Sequence, residues 1–213
     1  MSKLPAGDRR RRRHRETLDE VVGHALTVMA ESGAAGLSLG EVARRMGIRT
    51  PSLYVYFSSK AELYDEVFAR GWRSFAEAMR EFDGTLPPGM TLRDLLAASM
   101  TRSLDWASAN PAYSQMMFWR PVPEWQPAPA SYAPAVEVEQ HARRAFERLQ
   151  EEGHLLPDAD LDEVVDVWIV LVSGLVSQHL SNEPTVPAAE GRMAALVDPL
   201  VSSFTGHYGW SPT

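Results

Sequence analysis

Between Arg49 and Lys60 the chain sets out Arg49, Thr50, Ser52, Tyr54, Tyr56 and Lys60, a series of hydrogen-bond donors with a cation at each end. Groups of this kind hold a polyanion and touch polar edges without breaking bonds. The rest of the chain offers little else that could react. The six histidines, His14, His24, His141, His154, His179 and His207, show no H-E-x-x-H or other ligand spacing, and cysteine is absent. Neither a G-x-S-x-G elbow nor a phosphate-binding loop is present. No catalytic residue, metal site or cofactor is therefore predicted, and the chain is not expected to be an enzyme.

The elements that must position these donors carry their own start and stop signals. Ser38 and Glu41 have capping-box spacing, and Val42, Ala43 and Met46 then form an apolar helical face. Gly47 is the expected helix stop, because glycine adopts positive φ without strain. Thr50 and Pro51 read as an N-cap followed by proline at N1, and Ser59 with Glu62 repeats the capping box. Two short helices joined by a Gly-containing turn form a helix-turn-helix, whose second helix enters the major groove of DNA. Leu53 and Phe57, four apart, are assigned to the core against Val42, Met46 and the first helix. The opposite face then offers Arg49, Thr50, Ser52, Tyr54 and Tyr56. Ser38 is chiefly a cap, with a phosphate contact as an added role, and Arg44 and Arg45 read as a solvated face.

The runs Ala34-Ala35-Gly36-Leu37-Ser38, Glu41 to Ile48, Pro51-Ser52-Leu53-Tyr54-Val55-Tyr56-Phe57 and Ser59-Lys60-Ala61-Glu62-Leu63 resemble the TetR family of bacterial transcriptional regulators over residues 14–70. The resemblance implies that Tyr54 and Tyr56 contact phosphates or thymine methyls. It also implies base-edge or phosphate contacts from Thr50 and Ser52, and a phosphate contact from Lys60. Val55 stands where many relatives carry a polar or basic residue.

Of 213 residues, 45% are hydrophobic and 23% charged, ordinary for a globular chain. The net charge of −7 conceals an asymmetry. Residues 1–60 hold eleven Lys/Arg against six acids, a balance of +5, whereas the remainder holds ten against twenty-two, or −12. A basic head on an acidic body suits a protein that meets phosphate at one end. Residues 1–13 are expected to be a disordered basic arm, with Arg11, Arg12 and Arg13 reaching the minor groove or the backbone. The lack of cysteine fits a cytoplasmic setting, and no segment reads as a signal peptide or membrane span.

Helical periodicity extends through the chain and no strand pattern persists. The predicted fold is all-α with about nine helices: a three-helix, homeodomain-like head over 14–58 and a helical body over 59–213, beginning with a connecting helix at 59–82. The first helix is placed at 14–32. Five prolines make 121–134 a loop, read equally as a lid or as disorder, with a helix at 135–152 after it. Asp160 starts an eighth helix that runs to about 181, and a ninth at 187–205 is expected to kink at Pro199. The family resemblance implies a dimer through these last two helices, and the wide apolar arc of Trp168, Leu171 and Leu175, with Val197, Leu200, Val201 and Phe204, agrees. It also implies an effector pocket. Candidates for its wall are Trp106, Tyr113, Met116, Met117, Phe118, Trp119, Trp125 and Trp168, with His141 and Gln178 as polar anchors. The function so implied is a dimeric, sequence-specific repressor on a palindromic operator of double-stranded DNA, released by a small molecule of unspecified identity. A constitutive DNA-binding regulator and an activator are the alternatives.

Overall fold

The computed structural model describes residues 6–119 and 121–210. These form nine α-helices, with no strand among the described residues. α1 (Ala6–Ser32), α2 (Leu39–Arg45) and α3 (Thr50–Leu53) build the head, and α4 (Lys60–Asp83) leads out of it. α5 (Leu92–Ala109), α6 (Pro111–Phe118), α7 (Pro129–Glu151), α8 (Leu161–Asn182) and α9 (Val197–Tyr208) complete the body.

Many of the start signals act as the sequence predicts. The hydroxyls of Ser38, Ser59 and Thr91 accept from the N–H groups of Glu41, Glu62 and Asp94, and the Asp160 carboxylate accepts from Asp162. Gly47 has φ 66°, the left-handed turn that stops α2. Neither glutamate closes its capping box, however. Glu41 turns to Arg44 and Arg45, and Glu62 binds the N–H and hydroxyl of Ser58.

Four expectations change. Thr50 is the first residue of α3 rather than its cap; Arg49 takes the cap position without a side-chain bond. α1 begins at Ala6, so Arg9 to Arg13 lie on helix rather than in a disordered arm, whose first five residues lie outside the described ones. Arginine is a good helix former, and the pairs Arg11–Asp8 (3.4 Å) and Arg12–Glu16 (2.7 Å) span one turn. α7 starts at Pro129, inside the expected loop. A proline at N1 costs nothing, and Pro134 forfeits a single helical hydrogen bond. α9 starts ten residues late, at Val197, after two 3₁₀ turns at Ala188–Glu190 and Ala194–Leu196. Pro199 then falls in its first turn, where N–H groups have no intrahelical partner, and no kink is required.

Two hydrophobic cores meet at α4. The head core gathers Val21, Ala25, Met29, Val42, Leu53 and Phe57 with the first half of α4, and also takes Met116 of α6 and Trp125 of the following loop. The body core gathers Phe75, Met100, Phe146, Trp168, Val201 and Phe204. Trp72 and Tyr113 touch both. Where α4 crosses α6, a Cβ at Gly71 would sit 2.7 Å from Met117 Sδ, so a larger residue there would require the Met117 side chain to shift. α8 is long and apolar enough to cross a membrane by length and composition, but Val164, Trp168, Leu175, Val176 and Leu180 are buried in the body core.

Candidate nucleic-acid interface and effector cavity

α3 is held from behind. Leu53 is fully buried, and its carbonyl accepts from both Tyr56 N (2.9 Å) and Phe57 N (3.0 Å), which carries the helical turn through residue 57. At about 100° per residue, Ser52 and Tyr54 flank the buried direction, whereas Pro51 and Val55 point almost directly away from it. Burial follows this wheel: Pro51, Ser52, Tyr54 and Val55 are exposed, and Thr50 and Tyr56 are half-buried. The outward face therefore differs from the expected one. Tyr56 is stacked on His14 of α1, with ring centroids 5.3 Å apart and planes 23° apart. Thr50 lies toward the core side, while Arg49 is exposed at the start of the helix.

The supporting contacts show why the turn is rigid. Arg45, read as solvated, bridges helices instead: it bonds Glu41 on α2 and Glu31 on α1. Arg44 and then Arg45 hold the Glu41 carboxyl down to about 2, and Arg45 lowers Glu31 as well. Lys60 Nζ donates to Ala35 O at 3.0 Å and lies 5.2 Å above the Tyr64 ring. One of its protons is thus committed to the turn before α2 rather than to a ligand. Tyr64 OH donates to Ala34 O in the same turn at 2.7 Å. Arg9, Arg10, Arg12 and Arg13 are exposed along α1, and the His14 stack brings the base of this run beside the end of α3.

The body holds a cavity of about 930 Å³ between α4, α5, α7 and α8. Trp72, Phe75, Leu96, Phe146, Trp168 and Val172 form apolar walls, and the Asp83–His141 pair, 2.8 Å apart, lies at its polar edge. Trp72 Nε1 is buried with no hydrogen-bond partner. Among the expected wall residues, Met117, Phe118, His141 and Trp168 line this space. The others do not. Trp106 is core, donating to Ser74; Tyr113 and Met116 pack between α4 and the head; Trp119 donates to Ser177; and Gln178 is exposed and bonded to Asn182. Trp125 is buried on the head side, where its Nε1 donates to Asp65 at 3.2 Å. Trp72 and Phe75 were missed because their spacing on α4 reads as ordinary core.

The expected dimer residues need the same correction. Trp168, Leu175, Val197, Val201 and Phe204 are buried in the chain's own core, and Leu171 and Leu200 are half-buried against it. The outward apolar position of α8 is Val170, 66% exposed, whereas Ile169, 38% exposed, borders the cavity. Beyond them, Gly174 on α8 and Gly206 on α9 face open space.

A helix-turn-helix head with an outward donor face, carried on an all-helical body, defines a class of DNA-binding proteins. Residues 22–67 match the family model described as bacterial regulatory proteins, tetR family. Over these residues the head is similar to the DNA-binding domain of that family. Over 122 residues the chain is 30% identical to the HTH-type transcriptional regulator Mb1846 of Mycobacterium bovis, covering 56% of this chain and 51% of that protein. Over 77 residues it is 38% identical to the HTH-type transcriptional repressor DrrR1 of Streptomyces coeruleorubidus, covering 30% of this chain and 28% of that one. The chain thus spans about half the length of the first of these relatives and less of the second. Among solved structures, the putative regulatory protein SCO4313 aligns at TM-score 0.72 and 22% identity over 92% of this chain and 98% of that one. A putative TetR-family regulator from Mesorhizobium loti aligns at 0.70 and 15%, over 92% and 98%. The fold is that of TetR-family regulators, and these relatives are regulators of transcription rather than enzymes.

Proposed function

We propose that the chain is a dimeric, sequence-specific transcriptional repressor, acting on a palindromic operator in the cytoplasm and released by a small molecule held in the body cavity. The observation that carries this reading is the exposed side of α3, where Val55 points away from the fully buried Leu53 and Ser52 and Tyr54 stand exposed to either side. Exposed arginines on α1 beside it supply phosphate attraction. Repression is favoured by relatives named as repressors or negative regulators. An apolar effector with one polar end suits the aromatic walls and the Asp83–His141 edge, within the volume usual for small-molecule sites. Two similarly folded proteins are described as a fatty acid degradation regulator and a ketosteroid regulator, which agrees with an apolar ligand class.

The route from cavity to head is short. Tyr132, on the cavity wall, stacks on Phe68 at 6.0 Å, and Phe68 packs edge-on against Trp125 at 5.7 Å. Trp125 also meets Tyr64, which holds the turn before α2. A ligand that shifts α7 would move this strap, and a coupling of about 1–3 kcal/mol would lower operator affinity by five- to about 150-fold.

Selection of duplexes from a randomised pool, followed by titration across salt concentrations, tests the reading. Replacing Arg9, Arg10 and Arg13 with glutamine is expected to flatten the slope of log affinity against log salt by about two to three, at about 0.9 per lost phosphate contact. The preference for the selected duplex over a random one should survive. A chain that enriches no sequence would overturn the regulator reading, and an unchanged slope would remove α1 from the interface.

A further inference from the structure

Val55 is 79% exposed, the most exposed large hydrophobic side chain among the described residues. It lies about 200° round the helical turn from buried Leu53, so it points away from the core, toward the side that the proposed interface presents to the major groove. Ser52 and Tyr54 flank it, and the bonds from Tyr56 N and Phe57 N to Leu53 O fix the turn that carries it. An isopropyl group has no donor for a phosphate oxygen. On the groove floor, adenine and guanine present donors and acceptors, cytosine an amino donor beside a bare C5–H, and an apolar side chain against the polar groups would leave them dehydrated and unpaired. Thymine alone presents a methyl group there. A β-branched side chain is also stiff about χ1, so little rotamer freedom is lost on contact.

We propose that Val55 is a specificity-determining residue that reads a thymine methyl group by apolar contact. The inference rests on the DNA-binding reading above. Its test uses the full chain and a duplex selected from a randomised pool. Each thymine of that duplex is replaced in turn by deoxyuridine, which removes only the methyl, and affinity is measured for the wild-type chain and for Val55→Ala. One position per half-site is expected at which deoxyuridine weakens wild-type binding about fourfold, the discrimination of one buried methyl group. At that position Val55→Ala should be indifferent to the change, and should bind the thymine duplex as wild type binds the deoxyuridine one. Because Val55 is exposed, the variant should melt with the wild type, which separates recognition from folding. If deoxyuridine weakens both chains equally, or neither, Val55 does not read thymine although DNA binding stands. If no duplex is enriched, the DNA-binding reading fails and this proposal fails with it.

Discussion

Val170→Glu is expected to convert the protein from dimer to monomer at micromolar concentration, as read by sedimentation. Val170 is 66% exposed on α8, so the charge is tolerated by the isolated chain. If two chains pair through the outer face of α8, the charge would be buried there without a partner, at a cost of about 3–5 kcal/mol. At about 1.4 kcal/mol per tenfold, dimer affinity falls by two to more than three orders of magnitude. Binding to a two-half-site duplex should fall steeply with it, because only one reader then engages. Leu175→Glu is the informative contrast. Leu175 is 4% exposed within its own core, so that change should unfold the body instead of parting two folded chains. A Val170→Glu protein that still sediments as a dimer would move the interface away from the outer face of α8.

Trp125→Ala is expected to lower stability by about 3–5 kcal/mol, the usual cost of deleting a buried aromatic side chain. Trp125 is 9% exposed, packs on Tyr64 and Phe68, and shares the Asp65 carboxylate with Ala128 N. Removing it leaves a cavity at the junction of head and body, and Asp65 loses one of its two donors. Urea denaturation measures the loss. Trp125→Phe should recover most of the packing without the Asp65 bond, and so fall between the two. A loss below about 1 kcal/mol for Trp125→Ala, the range of surface substitutions, would mean that the strap is not part of the head core.

The head was legible because its signals are local. Ser38, Gly47 and Ser59 each fix a helix end through bonds within a few residues. The buried side of α3 followed from Leu53 and Phe57 alone. What escaped the sequence depends on longer range. Arg45 reads as a solvated arginine until Glu31, fourteen residues earlier, is brought beside it. Trp125 sits among prolines, which conceal its place in the head core. The apolar arc of α8 marks burial but not the identity of what buries it, so Trp168 and Leu175 were assigned to a twin chain although their own core covers them. Likewise, helical spacing identifies aromatic residues that pack, not those that surround empty space. Trp72 and Phe75 line the cavity, and Trp106, equally aromatic, fills the core.

The central claim is that the exposed face of α3 reads sequence. The measurement that tests it most directly is the ratio of affinities for the selected duplex over a scrambled one at a single salt concentration. It is to be compared between the wild-type chain and one carrying Ser52→Ala with Tyr54→Ala. Each lost base contact is worth about 1–3 kcal/mol of discrimination, so the ratio is expected to fall at least tenfold while affinity for the scrambled duplex changes little. An unchanged ratio, or equal weakening on both duplexes, would contradict the account and assign sequence reading to another part of the molecule.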